Sequence, residues 1–296
     1  MKNLLEKIGY SLLSALLNLL AVLPLPILYI VSDFLYLIIY YVIVYRRKVV
    51  RENLLKAFAE KSDDERLVIE RQFYKHFADY MVETIKILHI SDKEMRSRME
   101  FVGADVVDRF TTQGRSVMLL LGHYGNWEWI PSLTMWCAQP QGIQLGQIYR
   151  PLRNEWFDNF FLRLRTRFGT QCIAKNDTFR NLIKCKRDGR VSLTGFIADQ
   201  TPSPRNIHHR TEFFGQLTPV LTGFETIARK LDMAVVYIDV EVVKRGYYRA
   251  TFRLLEDNPT TCPDYDITNR YIAAMEQTIR RAPHAWLWTH KRWKWA

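Results

Sequence analysis

In the stretch VMLLLGHYGNWE, residues 117–128, an apolar run ends at a glycine and a histidine. The five residues Val117 to Leu121 predict a buried strand, and the two glycines that follow predict a turn. Asn126 is a residue type that often caps helices, so a helix is predicted to begin at Trp127. This part of the chain is therefore expected to form a strand, a tight turn and a helix.

The same stretch contains a histidine and a glutamate in the pattern H-x-x-x-x-E. On one continuous helix His123 and Glu128 would point to different faces, so only a strand-turn-helix geometry lets them meet. If they meet, the carboxylate holds one imidazole N–H and leaves the other nitrogen free to take a proton from a hydroxyl. The alternative is structural: His123 bonds to backbone at the strand end, and Glu128 is an acid favoured by the helix dipole.

Helical and extended patterns alternate along the chain beyond residue 45. Strands are predicted at 117–121, 143–149, 191–197, 234–243 and 248–254. Further helices are predicted at 50–59, 63–87, 104–113, 155–168, 178–186, 220–231 and 267–281. This order predicts an α/β layered domain with a mixed sheet covered by helices.

The N-terminal region is overwhelmingly apolar from residue 12 to residue 45. About 20 apolar residues span a bilayer, so this stretch suffices for one span plus an interfacial piece, or for two short tilted spans. A cleavable signal peptide is disfavoured, because the apolar region is too long and no small-x-small cleavage site follows it. The remaining alternative is a core helix of a soluble protein. We expect residues 1–45 to anchor the chain in a membrane and residues 46–296 to form a separate domain.

The chain is basic, since Lys and Arg exceed Asp and Glu by 42 − 31 = 11. A surplus of this size favours an anionic partner such as nucleic acid, an anionic membrane or an acidic carrier protein. The cluster Arg46-Arg47-Lys48 directly follows the apolar region, and such clusters tend to stay on the cytoplasmic side. The domain from residue 46 onward is therefore expected at the cytoplasmic face of the membrane. No recognisable nucleic-acid motif accompanies the charge, so nucleic acid is not an expected partner.

With 296 residues, 48% of them hydrophobic, the chain is long enough to bury a substantial core.

Cysteine and histidine positions do not predict a metal site. The four cysteines of the chain have no C-x-x-C spacing, so neither a zinc site nor a disulfide framework is indicated, and a reducing compartment fits best. The pair His208-His209 lies in a proline-containing loop without a carboxylate or cysteine at ligand spacing, and a substrate-facing loop is at least as good an interpretation.

Six blocks, in order, resemble the lipid A late acyltransferases, a branch of the H-x-x-x-x-D/E acyltransferases in which Glu takes the place of Asp. The resemblance runs from about Arg46 to the C-terminus, and the first block is the stretch from His123 to Glu128. The other five are Tyr149-Arg150-Pro151 with Asn154, Arg165-Thr166-Arg167-Phe168-Gly169, Ala198-Asp199-Gln200, Glu212-Phe213-Phe214-Gly215 and the C-terminal PHAWLWTHKRWK from Pro283 to Lys294.

The resemblance implies a glycerolipid-acyltransferase-like α/β fold and an acyltransferase of the bacterial inner membrane. Such an enzyme moves a fatty acyl chain from an acyl carrier protein thioester to a hydroxyl of a lipid A precursor, at a 3-hydroxyacyl chain. His123 would abstract the hydroxyl proton while Glu128 orients it and offsets its charge. Neither a nucleophilic side chain, a metal nor a cofactor beyond the acyl carrier is expected.

Substrate-binding candidates come from the other blocks. Arg150 follows a predicted strand, so its side chain could face a cleft beside His123 and bind a lipid phosphate or steady an oxyanion. Arg167 and Asp199 are weaker candidates for substrate binding, and Asn126 of the first block is a further candidate. A surface arginine is the alternative for Arg150. The C-terminal block interleaves tryptophans with cations, which suits a membrane interface or stacking on single-stranded nucleic acid.

Three other functions compete with this assignment. Glycerolipid acyltransferases usually carry Asp at the end of the first block and a later F-P-E-G-T-R-like block, which this chain lacks. Acyltransferases for mannosylated phosphoinositides or amino-acid lipids are much closer to the lipid A branch and stay open. A non-catalytic, basic, membrane-bound scaffold is a third alternative, but a scaffold has no need of His123 and Glu128 together.

Overall fold

The computed structural model of the chain describes residues 2–137 and 143–295. Within them, seven strands form the main sheet and two form a small antiparallel hairpin. The strands are β1 (Met99–Val102), β2 (Val117–Leu121), β3 (Ile143–Tyr149), β4 (Gln171–Ala174), β5 (Val191–Ile197), β6 (His209–Phe213), β7 (Gln216–Val220), β8 (Ala234–Lys244) and β9 (Tyr247–Glu256).

The main sheet is mixed and has the strand order β1-β9-β8-β2-β5-β3-β4. Neighbouring strands run parallel, except for the antiparallel pair β8 and β9. All five residues of the central strand β2 are buried, as expected for a strand covered on both faces. The carboxyl ends of β2, β5 and β3 therefore meet at one edge, which is where α/β sheets bind ligands. The predicted mixed α/β sheet is confirmed.

Helices cover the sheet and extend the chain at its N-terminus. The α-helices are α1 (Lys2–Val22), α2 (Leu25–Leu37), α3 (Arg47–Ala57), α4 (Asp63–Lys86), α5 (Asp92–Arg98), α6 (Asp105–Thr112), α7 (Glu155–Thr166), α8 (Thr178–Arg187), α9 (Gly223–Leu231) and α10 (Asp266–Arg281). A short π-helix, Ile38–Val42, continues α2. The longest helix, α4, begins with a capping box in which Ser62 and Glu65 satisfy each other's backbone N–H groups.

The helix predicted to begin at Trp127 is a 3₁₀ helix, Trp127–Met135. Pro131 lies inside it, and proline removes a backbone donor and clashes with the carbonyl four residues earlier in an α-helix. Asn126 occupies the N-cap position, but its side chain makes no capping hydrogen bond. The predicted N-cap position of Asn126 is confirmed, although its side chain does not supply the capping hydrogen bond.

The N-terminal apolar region divides into two helices with different surroundings. Several apolar side chains of α1 are exposed, among them Leu12 and Leu19, whereas Leu25 and Leu28 of α2 are buried in the same core as the sheet. Ser32 of α2 donates to Asp79 of α4 over 2.6 Å, so the two helices also share a polar contact. The segment Leu25–Val42 is long and apolar enough to cross a membrane, by length and composition, and 33% of it is buried. The division at residue 45 stays a prediction.

Two substitutions on α2 test whether it belongs to the folded core. Leu28→Ala removes a side chain that is 1% exposed, and we expect it to lower the free energy of unfolding by about 2–5 kcal/mol. Ile30→Ala, at a side chain that is 70% exposed, is the matched control and should change it by less than about 0.5 kcal/mol. Chemical unfolding in a mild detergent measures both. Equal and small effects would show that α2 contributes nothing to the core.

Candidate active site

His123 lies on the turn that follows β2, at the carboxyl edge of the sheet. The turn requires glycine: Gly125 has φ +60°, and a Cβ on Gly122 would overlap the Met275 sulfur. The chain near the C-terminus holds this turn from the other side. Gly125 N donates to Ala285 O over 2.9 Å, and Leu287 N donates to His123 O over 3.0 Å. The turn that carries the histidine is therefore fixed by backbone hydrogen bonds to the C-terminal segment.

A buried carboxylate orients the imidazole of His123. Asp199, two residues beyond β5, places Oδ1 2.7 Å from His123 Nδ1. Its other oxygen, Oδ2, accepts from His123 N over 2.9 Å and from Trp286 Nε1 over 2.7 Å. Burial alone would raise the pKa of Asp199, but the charge of His123 and the three donors outweigh burial and lower this pKa to about 2. Asp199 is therefore ionised throughout the neutral pH range.

The second ring nitrogen of His123 is not bound by the Asp199 carboxylate, and the side chain as a whole is 21% exposed. Since the Asp199 carboxylate accepts at Nδ1, the neutral ring carries its hydrogen there and leaves Nε2 as an acceptor. The Gln200 amide nitrogen lies 3.4 Å from Nε2. The Trp127 indole meets the imidazole edge-on, with ring centroids 5.2 Å apart. An accessible, carboxylate-oriented Nε2 is the arrangement that a general base needs.

Glu128 does not contact the imidazole in the way the sequence predicted. Both of its oxygens are taken by Arg165 of α7, with Oε2 2.9 Å from Nε and Oε1 2.6 Å from Nη2. Glu128 is the second residue of the 3₁₀ helix and points across to α7, whereas both ring nitrogens of His123 face residues that follow β5. Asp199 therefore has the orienting position that was predicted for Glu128.

Arg165 is the residue of this site that the sequence interpretation missed. Burial lowers the pKa of Arg165, but the paired Glu128 carboxylate outweighs burial and raises it above its ordinary value. The guanidinium also lies over the ring of Phe161, 5.2 Å from its centroid. Helical spacing could have pointed to Arg165. It lies four residues after Phe161 and next to the buried Leu164, and so belongs to the inner face of α7.

The other predicted residues have separate positions. Arg150 is exposed at the end of β3, on the same sheet edge as His123 and separated from β2 by β5. Arg167 donates to the Ile90 carbonyl and lies 3.9 Å from an Asp92 oxygen, so it joins α7 to the start of α5 and does not belong to the site around the imidazole.

Asn126 connects the turn to a buried glutamate of α4. Its Nδ2 donates to Glu83 Oε2 over 2.8 Å. Tyr248 of β9 donates to the same oxygen over 2.7 Å, and Tyr29 of α2 donates to Oε1 over 2.9 Å. Burial raises the pKa of Glu83 to about 7, although these donors oppose the rise. Asn126 therefore holds the turn in place through Glu83.

An apolar cavity lies beside His123, between the 3₁₀ helix and the sheet. The empty space measures about 540 Å³, part of it open to solvent. Its lining includes Leu119, Trp127, Leu133, Leu145, Leu193 and Gly195. Trp127 both lines the cavity and contacts the imidazole, so one side chain connects the cavity to the histidine. Such an apolar cavity with one polar side suits a ligand with a hydrocarbon part.

The tryptophan-rich C-terminal block belongs to the core. Trp286, Trp288 and Trp293 are buried, and Arg292 is fully buried with one guanidinium nitrogen donating to Pro219 O over 2.9 Å. The prediction that this block forms a membrane or nucleic-acid surface was therefore wrong for these residues.

Of the pair His208-His209, the second histidine begins strand β6. His209 stacks on Tyr265 and bonds to Asn269.

A histidine that is oriented by a buried carboxylate, beside an apolar cavity, is an arrangement with which enzymes can take a proton from a hydroxyl group next to an apolar substrate. Comparison with known proteins identifies that enzyme class more closely. A family model described as bacterial lipid A biosynthesis acyltransferase matches residues 2–295. The chain belongs to this family of acyltransferases.

Individual relatives are distant but are matched over most of their length. The lipid A biosynthesis palmitoleoyltransferase of Escherichia coli (strain K12) is 25% identical over 255 residues, which cover 84% of this chain and 79% of the relative. The lauroyltransferase of the same strain is 24% identical over 253 residues, with 84% and 79% coverage. Its myristoyltransferase is 20% identical over 241 residues, with 81% and 72% coverage.

Substitutions of Glu128 and Arg165 test whether their ion pair stabilises the fold. Removing one partner leaves the other charge unpaired in a largely buried place, so Glu128→Gln and Arg165→Met should each cost about 3–5 kcal/mol of stability. The double variant should cost less than the sum of the two, because neither charge then remains. Chemical unfolding of the four proteins measures this coupling, and Arg163→Met, at an exposed position of α7, is the control. Strictly additive losses would rule out the coupling.

Proposed function

We propose that the chain transfers a fatty acyl chain from an acyl carrier protein thioester to a hydroxyl of a lipid A precursor, on a 3-hydroxyacyl chain. The observation that carries this proposal is the 2.7 Å contact between His123 and Asp199 beside the apolar cavity. The names of the three relatives support a lipid A substrate, since they describe the transfer of palmitoleoyl, lauroyl and myristoyl groups in lipid A biosynthesis.

In the proposed reaction, His123 is the general base. Its Nε2 takes the hydroxyl proton as the hydroxyl oxygen attacks the thioester carbonyl carbon. The carbon–sulfur bond then breaks, and the departing sulfur receives the proton from the imidazolium. Asp199 holds Nδ1–H during both steps and offsets the positive charge of the ring, because it is ionised and buried against it.

Glu128 has a positioning role in this proposal. Its ion pair with Arg165 joins the 3₁₀ helix to α7. The 3₁₀ helix carries Trp127 and one wall of the cavity. The acyl chain of the donor would occupy the cavity, with its thioester beside His123. The protein needs no metal or organic cofactor for this chemistry, since the thioester is already an activated acyl group.

We also propose that the enzyme works at the cytoplasmic face of the bacterial inner membrane. The exposed apolar residues of α1 and the segment Leu25–Val42 would hold it in the bilayer. The cluster from Arg46 to Lys48 then lies on the cytoplasmic side. Arg150, exposed at the same sheet edge as His123, is available for a phosphate of the acceptor lipid.

Two substitutions at the site test the proposed mechanism. His123→Ala and Asp199→Asn should each lower turnover by about 10²–10⁴-fold, the usual contribution of a general base and its support. The assay uses purified protein in detergent with an acyl carrier thioester and a lipid A precursor, and mass spectrometry of cellular lipid A gives an independent measure. His209→Ala, at a histidine in the β6–β7 hairpin, is the control. If folded His123→Ala kept more than half of the activity, this mechanism would be excluded.

The basic surplus should affect how the donor is captured. If an acidic carrier delivers the acyl chain, basic residues steer its approach, and rim charges act mainly on association. The screening length falls from about 8 Å at 0.15 M salt to about 3 Å at 1 M, so the KM for the carrier should rise with ionic strength while kcat changes little. Steady-state kinetics at several salt concentrations measure this. Equal use of acyl-coenzyme A, with no salt dependence for the carrier, would contradict the donor assignment.

A further inference from the structure

A row of aromatic side chains leads from the N-terminal apolar helices to the catalytic turn. It consists of Tyr45, Phe77, Tyr80 and Trp127, and is called the aromatic row below. Tyr45 and Phe77 are parallel, with centroids 6.1 Å apart, and Phe77 and Tyr80 follow at 6.3 Å. Tyr80 stacks on Trp127 at 4.1 Å, and Trp127 meets the His123 ring at 5.2 Å. The row is therefore continuous up to the imidazole.

The aromatic row is only partly covered by the rest of the protein. Phe73 and Tyr74 of α4 are fully buried, at 1% and 0% exposure. One turn further along the same helix, Phe77 and Tyr80 are only partly buried, and Tyr45 is 41% exposed. Helical spacing alone predicts core positions for Phe73, Phe77 and Tyr80. A line of half-covered apolar rings that ends at a reactive group is a feature of binding sites for apolar ligands.

The far end of the row reaches the surface where a membrane lipid would arrive. Tyr45 lies three residues after the π-helix, and its neighbours Val42, Ile43 and Val44 are exposed apolar residues. Val42 ends the segment that is long and apolar enough to cross a membrane, and Ile43 and Val44 follow it directly. The guanidinium of Arg46 lies 6.0 Å from the Tyr45 ring centroid, so a cation stands at this end of the row. This combination fits a lipid with an anionic headgroup.

The row and the cavity are two separate apolar sites that meet at Trp127. The residues that line the cavity come from the sheet, the 3₁₀ helix and the turn before β4, whereas Phe77 and Tyr80 come from α4. Acyl transfer between two lipids needs a place for the donor chain and another for the acceptor chain, both within reach of one base. The protein has two such places, and Trp127 belongs to both.

We propose that the aromatic row binds the hydroxyacyl chain of the acceptor lipid and guides its hydroxyl to His123, while the cavity holds the donor chain. This inference rests on the proposed acyl transfer. It assigns Tyr45 and the partly exposed face of α4 to the acceptor. The hydroxyl of Tyr80 is then a polar group along the acceptor chain. Burial raises the pKa of the Tyr80 hydroxyl well above its ordinary value, with the Glu128 carboxylate adding to the rise, so the phenol stays neutral beside an acyl chain.

Kinetics with both substrates test the assignment. Tyr45→Ser and Phe77→Ser should each raise the KM for a hydroxyacyl glycolipid acceptor by about 10-fold, which corresponds to the loss of about 1.4 kcal/mol of binding. The KM for the acyl carrier thioester should change less than twofold. Phe179→Ser, at an exposed aromatic residue of α8, is the control and should change neither. Unchanged acceptor KM in both row variants, with an active wild-type enzyme, would overturn the inference and leave the proposed function standing.

Photo-crosslinking of the unsubstituted full chain provides the second measurement and does not depend on turnover. The probe is an acceptor glycolipid with a diazirine in its hydroxyacyl chain, and the comparison is an acyl thioester with a diazirine in the acyl chain. We expect the acceptor probe to label the aromatic row and the donor probe to label the cavity. Labelling in the opposite sense, or acceptor labelling confined to α1, would overturn the assignment. Absence of transfer from any thioester to any hydroxyacyl lipid would instead refute the proposed function.

Discussion

The buried charge of Asp199 is the constraint on which the rest of the structure depends. A carboxylate in the protein interior is costly unless donors satisfy it, and Asp199 obtains its donors from the backbone and ring of His123 and from the indole of Trp286. These groups come from the turn after β2 and from the C-terminal segment, while Asp199 itself follows β5. The charge of Asp199 is therefore satisfied only where the neighbouring strands and the C-terminal segment are packed together.

The sequence allowed much of the fold to be predicted, for a physical reason. The strand β2 and the first part of β8 are continuous or nearly continuous apolar runs, because both faces of the sheet are covered there, and such runs are easy to recognise. The strands β1 and β4 were missed because four residues are too few to show a period. The helix predicted from residue 220 begins at Gly223, since Val220 pairs with His209 in the hairpin.

The site was predicted in its residues more than in its contacts. His123 and Asp199 were both named, but they are 76 positions apart and only the parallel pairing of β2 with β5 brings them together. Glu128 was assigned to His123 because the two are near in sequence, whereas its partner Arg165 lies 37 positions away on another helix. The tryptophans near the C-terminus have the composition of a surface segment, and only the folded structure shows that they are buried. Proximity along the chain was a poor guide to proximity in space.

The hydrogen bonds of Glu83 have a consequence for how this enzyme could be modified. One carboxylate accepts from Tyr29 on the apolar helix α2 and from Asn126 on the catalytic turn, and a third donor comes from the sheet. Because α2 supplies one of these donors, it is not a detachable module that could be exchanged without loss. Any replacement helix would have to place a phenol, or an equivalent donor, where Tyr29 reaches Glu83. Without that donor, the turn that carries His123 would lose part of its support.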